Sequence, residues 1–179
     1  MKLAFVLAMA LSMVGCGPST KEIRTAKAAE YNAPPKHLMD LALQVTQFNY
    51  KIGAIDIEGL KFSTEPQWYT PDGGRLSSFD DGSGEYVNAG GQRPSADGGR
   101  RSEGDDYQVW FVVKVRLVGS DKAMVEITPR TFQVVVGSPQ PREILADDPS
   151  LPPWVQGRAD TLALAIYEHA RKKYLPPGG

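Results

Sequence analysis

The chain has 179 residues, 41% of them hydrophobic and 23% charged, with a formal net charge of −1. That balance is ordinary for a single globular domain and supplies no positive field to hold a polyphosphate, so no nucleic-acid role is indicated. Its one cysteine, Cys16, excludes an intramolecular disulfide and a cysteine-based metal cluster.

Lys2 is followed by an apolar run from Leu3 to Val14 broken only by Ser12. The run has the length of a signal-peptide core and falls well short of the roughly 20 residues that a membrane-spanning helix requires. It ends Leu11-Ser12-Met13-Val14-Gly15-Cys16, with a small residue directly before the thiol. This resembles the lipobox of bacterial lipoproteins: Gly15 fits its pattern, and Met13 and Val14 stand as tolerable substitutes. The resemblance implies removal of residues 1–15 and acylation of Cys16, on its sulfur through a thioether-linked glyceride and on the new amino terminus. The protein would then be lipid-anchored in the cell envelope and face the periplasm. Gly17 stands where enterobacterial lipoproteins retained at the inner membrane carry Asp, which leans the expectation toward the outer membrane.

Residues 16–33 are small and polar with mixed charges, a composition that suits a flexible tether between lipid and domain, compatible with a short helix over Lys21 to Tyr31. Pro34-Pro35 then marks a helix start, because proline loses nothing in a first turn whose N–H groups have no partner. Leu38, Leu41, Ala42, Val45 and Phe48 follow on one stripe. From Tyr50 the period changes to two. Strands are expected over Tyr50 to Ile57 and Leu60 to Tyr69, with Gly59 supplying backbone freedom to the turn between them. Tyr107 to Val118 alternates most clearly, with Tyr107, Val109, Phe111, Val113, Val115 and Leu117 on one face. After Gly119-Ser120-Asp121-Lys122 a strand returns over Ala123 to Val136, and Pro129 is expected to break it at an edge or bulge. A proline-rich connection leads to a last helix in which Val155, Ala159, Leu162, Ile166 and Ala170 form a stripe, ending near Tyr174 before Pro176-Pro177-Gly178-Gly179.

Two helices with one apolar stripe each and a sheet with one apolar face bury one another as a two-layer α+β sandwich. The expectation is a four- to five-stranded antiparallel sheet with an N-terminal and a C-terminal helix on one face, in a single domain over residues 34–175. Residues 71–106 interrupt it and hold half of the chain's 18 glycines. Loops of such length are uncommon in compact domains, and this one reads as a disordered insertion whose Phe79, Tyr86 and Val87 could order on a partner.

No catalytic constellation emerges. Asp80-Asp81-Gly82-Ser83-Gly84-Glu85 lacks the ligand spacing of a calcium loop, and Gly82 to Gly84 neither follow a strand nor open a helix as a phosphate cradle does. His37 and His169, the two histidines, lie far apart in sequence and have no further ligands at metal-site spacing. No metal, cofactor or enzymatic activity is expected. Of the tryptophans, Trp68 and Trp154 read as closures of a small core and Trp110 as an exposed contact, with Trp68 and Tyr86 kept beside Trp110 as candidate partner contacts.

Lipobox, tether, helix, the strand-turn-strand QFNYKIGAIDIEGLKFSTEPQWY, long hairpin and closing helix together resemble the small envelope lipoproteins of Gram-negative bacteria. In layout, from about Pro35 to Tyr174, the chain is most similar to the helix-grip domain of the BamC-type lipoprotein of the outer-membrane β-barrel assembly machinery. The α-β-β-β-β-α order is also similar to that of the lipoprotein that plugs the lipopolysaccharide transport barrel. The resemblance implies a non-catalytic envelope interaction or assembly component with a protein partner. The alternative is a lipoprotein that binds a small molecule or lipid between helices and sheet.

Overall fold

The alternation over residues 106–118 builds the strand on which the sheet assembles. In the computed structural model, which describes residues 18–76, 106–135 and 140–175, this strand is β4, Asp106–Val118. The leader, Cys16, Tyr86, the rest of the insertion from 77 to 105 and the final Pro-Pro-Gly-Gly lie outside the described residues. Beside β4 runs β5, Lys122–Val134, in register from Asp106 opposite Val134 to Val118 opposite Lys122. β1 (Ile52–Asp56), β2 (Lys61–Thr64), β3 (Gln67–Tyr69) and β6 (Arg142–Ile144) complete an antiparallel sheet of six strands. The order is β1-β2-β4-β5-β6, and β3 pairs with β4 beyond the end of β2.

The fold is α+β, with more strands than the four or five expected. Two features account for the difference. The stretch read as one strand, Leu60 to Tyr69, divides into β2 and β3, and the proline-rich connection contributes β6, whose Ile144 is buried opposite Thr131.

Helix α2, Pro35–Gln47, buries Leu38, Met39, Ala42, Val45 and Thr46. The Thr46 hydroxyl enters this stripe because it donates to the Ala42 carbonyl at 2.7 Å, one turn back, and so brings no unsatisfied polar atom with it. Leu41 falls on the flank of the stripe, and Phe48, past the last helical residue, is 76% exposed. Helix α3, Pro153–Tyr174, buries the expected Val155, Ala159, Leu162, Ile166 and Ala170. These side chains meet Val109, Phe111, Val113 and Val115 of β4, Phe62 of β2 and Tyr69 of β3 in one core.

The segment expected to be a tether is part of the domain from Ser19 onward. Ser19 and Glu22 form a capping box: the Glu22 N–H donates to Ser19 Oγ at 3.2 Å and the Ser19 N–H donates to Glu22 Oε2 at 2.7 Å. The helix they start, α1 (Thr20–Lys27), packs on α3, buries Ala26 and ties Lys27 to Asp160 at 2.9 Å. Tyr31 is then held in a two-bond bridge to Ala123, N–H to O at 2.8 Å and O from N–H at 3.0 Å, with 1% of its surface exposed. Composition is a poor guide here because one cap, two alanines and one tyrosine anchor an otherwise polar stretch.

Two further expectations are corrected. Pro129 does not break β5; it lies buried at mid-strand opposite Phe111. Ala123 turns both backbone groups toward Tyr31, away from β4, and every second residue shares that direction. The missing N–H of Pro129 would therefore have faced the outer edge, and no bond to β4 is lost. In the β1–β2 turn the left-handed residue is Leu60, at φ 49°, and not Gly59. At Gly59 the N–H donates to Asp56 Oδ1 at 2.8 Å, and a Cβ there would lie 2.4 Å from Asp56 Oδ2, so a larger residue would displace that carboxylate.

If residues 19–33 belong to the cooperative unit, Tyr31→Ala lowers the unfolding free energy by about 3 to 5 kcal/mol, the range for truncating a buried aromatic. Urea denaturation measures this, and a loss below about 0.5 kcal/mol would restore the tether reading.

Candidate functional site

Helices α2 and α3 cover one face of the sheet; on the other, no described helix packs. Which side chains reach that outer face depends on Glu65. β2 pairs with β4 as Lys61 opposite Lys114 and Phe62 opposite Val113, whereas β3 pairs as Gln67 opposite Val109 and Trp68 opposite Gln108. Three residues, Glu65 flanked by Thr64 and Pro66, thus span what two residues of β4 span, and the surplus one is a bulge. Thr64 repairs the ladder, its Oγ1 accepting the Phe111 N–H at 3.0 Å inside the core.

Because side chains alternate with period two, one surplus residue exchanges the faces. Phe62 and Thr64 point inward, but beyond the bulge it is Tyr69 that is buried, and Trp68 shares the outer face with Gln108. A strand without the bulge would carry Trp68 into the core, the place expected of it as a core closure.

On β4, Trp110 lies on the same outer face, and Phe132 of β5, opposite Gln108, stacks on it with ring centroids 5.3 Å apart and planes 6° from parallel. Such diagonal neighbours on adjacent strands are within reach of large rings. Arg130, directly opposite Trp110, is ion-paired with Glu143 of β6 at the margin of the aromatic group. Toward the β4–β5 turn the face becomes charged, with Arg116 bound to Glu126 at 2.8 Å. The outer face therefore has an aromatic half, Trp68, Trp110 and Phe132, all half-buried, and a charged half. Rings of this kind offer large contact area with few side-chain torsions to freeze.

The structure thus brings together two of the sequence-derived candidates, Trp68 and Trp110. Tyr86 and Cys16 lie outside the described residues. Phe132, Arg130 and Glu143 were missed; only the pairing register, which no local pattern carries, places them beside Trp110.

Trp154 belongs to a different cluster. It sits in the first turn of α3, 5.1 Å from the Tyr69 ring and 6.0 Å from Tyr107, and its indole N–H donates to the Pro71 carbonyl at 3.0 Å. Gly73, at φ +86°, presses against it so closely that a Cβ would be 2.7 Å from the indole. The Arg158 guanidinium lies 4.7 Å above Tyr69 and donates to the Gly73 carbonyl at 2.8 Å. This arrangement closes the core and fixes the chain leaving β3. Nearby, Gln47, Asn49, Tyr50, Lys51, Ile52 and Arg75 line an open cleft of about 420 Å³ with two cations and no carboxylate.

Nothing in these clusters assembles a nucleophile with a base, and among the described residues no group of three or more His, Cys, Asp or Glu is placed to hold a metal ion. His169 is engaged by the Ala165 carbonyl at 2.8 Å and by Phe48, at 6.4 Å between ring centroids. No described helix is long and apolar enough to cross a membrane. Compared with known proteins, the chain matches no family model and no curated sequence.

Burial pushes three phenols, Tyr31, Tyr50 and Tyr69, above the usual tyrosine value of 10, and at Tyr50 and Tyr69 the Arg158 charge partly opposes it. A raised folded-state value means that the native protein keeps its phenol protons where the unfolded chain loses them. Stability is accordingly independent of these groups below pH 10 and falls as the pH rises above it. Thermal unfolding followed from pH 8 to 11 should show Tm declining above about pH 10, less steeply in Tyr50→Phe; a Tm unchanged to pH 11 would contradict the burial of these rings.

Proposed function

We propose that this protein is a membrane-anchored bacterial lipoprotein, acylated at Cys16, that serves as a non-catalytic interaction or assembly component of the cell envelope. Its docking surface is the aromatic half of the outer sheet face. The observation that carries the reading is the stacked Trp110–Phe132 pair with Trp68 beside it, on the side of the sheet where no described helix packs. An envelope protein partner would cover these rings with apolar or aromatic side chains, and the Arg130–Glu143 pair at the margin would set orientation.

Face docking is favoured over strand addition at an edge, because both edges are blunted. β1 is short and irregular, its register slipping between Ile52 and Ile55. On the outer edge of β5, Tyr31 occupies Ala123, β6 occupies Thr131 to Gln133, and Pro129 lies between them. The leader ending in Gly15-Cys16 supports the anchor.

A photo-crosslinking residue placed at Gln108, between Trp68 and Phe132 on the outer face, should capture a defined envelope protein in living cells, whereas one at Gln44, exposed on α2, should not. The pair Trp110→Ala and Phe132→Ala should abolish that capture while leaving the domain folded, at a cost of about 3 kcal/mol from the lost burial of two half-buried rings and their stacked contact. Cys16→Ser should leave the fold intact and release the protein from membranes. Equal capture from both positions, or membrane retention without the cysteine, would overturn the proposal.

A further inference from the structure

The order of residues 19–33 changes what an acyl anchor at Cys16 would do. A flexible tether lets a domain tumble, but only Gly17 and Pro18 separate Cys16 from the Ser19 cap of α1. Three residue steps span about 10 Å at full extension. Resting on the lipoprotein reading above, we propose that the outward side of α1 and the last turn of α3 form a basic surface that lies against anionic lipid headgroups and fixes the orientation of the domain on the bilayer.

At 100° per residue, Lys21 and Arg24 project from the side of α1 opposite Ala26, which packs on α3. Helix α1 packs along α3, with Lys27 at Asp160, and just beyond α1 the Asn32 N–H donates to the Tyr174 carbonyl at 3.1 Å, at the end of α3. Arg171, Lys172 and Lys173 occupy that last turn. Ion pairing varies across the protein, and Lys36, Lys51, Arg75, Lys114 and Arg158 have no ion-pair partner among the described residues. Lys61, Arg116, Lys122, Arg130 and Arg142 each face a carboxylate. Lys27 and Arg171 are matched by Asp160 and Glu168. Lys21, Arg24, Lys172 and Lys173 have no ion-pair partner among the described residues, although the chain as a whole is slightly acidic. Four exposed cations are thus gathered at the end of the domain from which the chain leads to Cys16. Phosphate headgroups are the chemistry that complements them, and each cation held near an anionic surface favours contact severalfold. The opposite end of α3, which carries the aromatic cluster of Tyr69 and Trp154, lies about 30 Å along the helix from this basic turn at 1.5 Å per residue.

The test uses the mature acylated protein in vesicles. Acylation consumes the Cys16 sulfur, so a cysteine introduced as Thr25→Cys on α1 or Asp147→Cys before α3 takes a fluorophore selectively. Quenching by a headgroup-labelled lipid reports distance from the surface, and vesicle flotation reports anchoring separately. In vesicles containing phosphatidylglycerol, the label at 25 should be quenched severalfold more than that at 147. The contrast should collapse in phosphatidylcholine alone, in about 0.5 M salt, and in the variant K21E/R24E/K172E/K173E, which should still float. Equal quenching at 25 and 147, or a contrast indifferent to phosphatidylglycerol and charge reversal in protein that floats, overturns the orientation and leaves the anchor standing. Failure to float, with a free thiol at Cys16, removes the lipoprotein reading and this inference together.

Discussion

Pairing of β2 and β3 with β4 would need one residue fewer than the chain supplies, and the surplus, Glu65, determines the character of both sheet faces. Beyond it Tyr69 turns into the core, where it carries Arg158 and Trp154, and Trp68 turns out toward the face of Trp110 and Phe132. The bulge is stabilised from within: Thr64 supplies a hydroxyl to the Phe111 N–H, and the Glu65 N–H bonds to the Lys51 carbonyl at 2.8 Å. Pro66, which follows at the interruption, has no N–H to leave unpaired. An aromatic surface on one side and a closed core on the other are therefore two consequences of the same irregularity.

The same economy holds at the N-terminal end. Tyr31 fills the core at the β4–β5 turn and occupies the edge of β5 at Ala123, so the segment that would join the proposed anchor to the domain also seals the sheet. Under the proposed function, such a module would present itself to the envelope in one orientation, with the basic surface of α1 and the last turn of α3 toward the lipid. A partner of the kind proposed would meet a surface built on paired strands, so that little ordering cost would arise on binding.

Much of the fold was legible because its signals are local. The stripe of α3 and the alternation of β4 repeat over several turns or residue pairs, and all five apolar positions read for α3 are buried. Leu117 departs from the β4 pattern and is 55% exposed, while Ala123 opposite it is buried beneath Tyr31. The start of α1 was also written in the chain, as Ser19-Thr20-Lys21-Glu22, but the mean composition of the segment obscured it. The bulge, β6 and the Trp110–Phe132 stack were not legible, since each is a property of pairing between segments distant in sequence. For the same reason Trp110 was recognised as an outward residue from its own strand, while Phe132, which completes the contact, was not.

The account rests on Trp68 and Trp110 sharing the outer face, and proton NOEs from the Trp68 indole in solution test that most directly. The predicted pattern is contact with Gln108 and none with the methyl groups of Val155 and Ala159 on α3. Strong NOEs from Trp68 to those α3 methyls would mean that the strand runs through residue 65 without a bulge, and the aromatic docking surface would not exist.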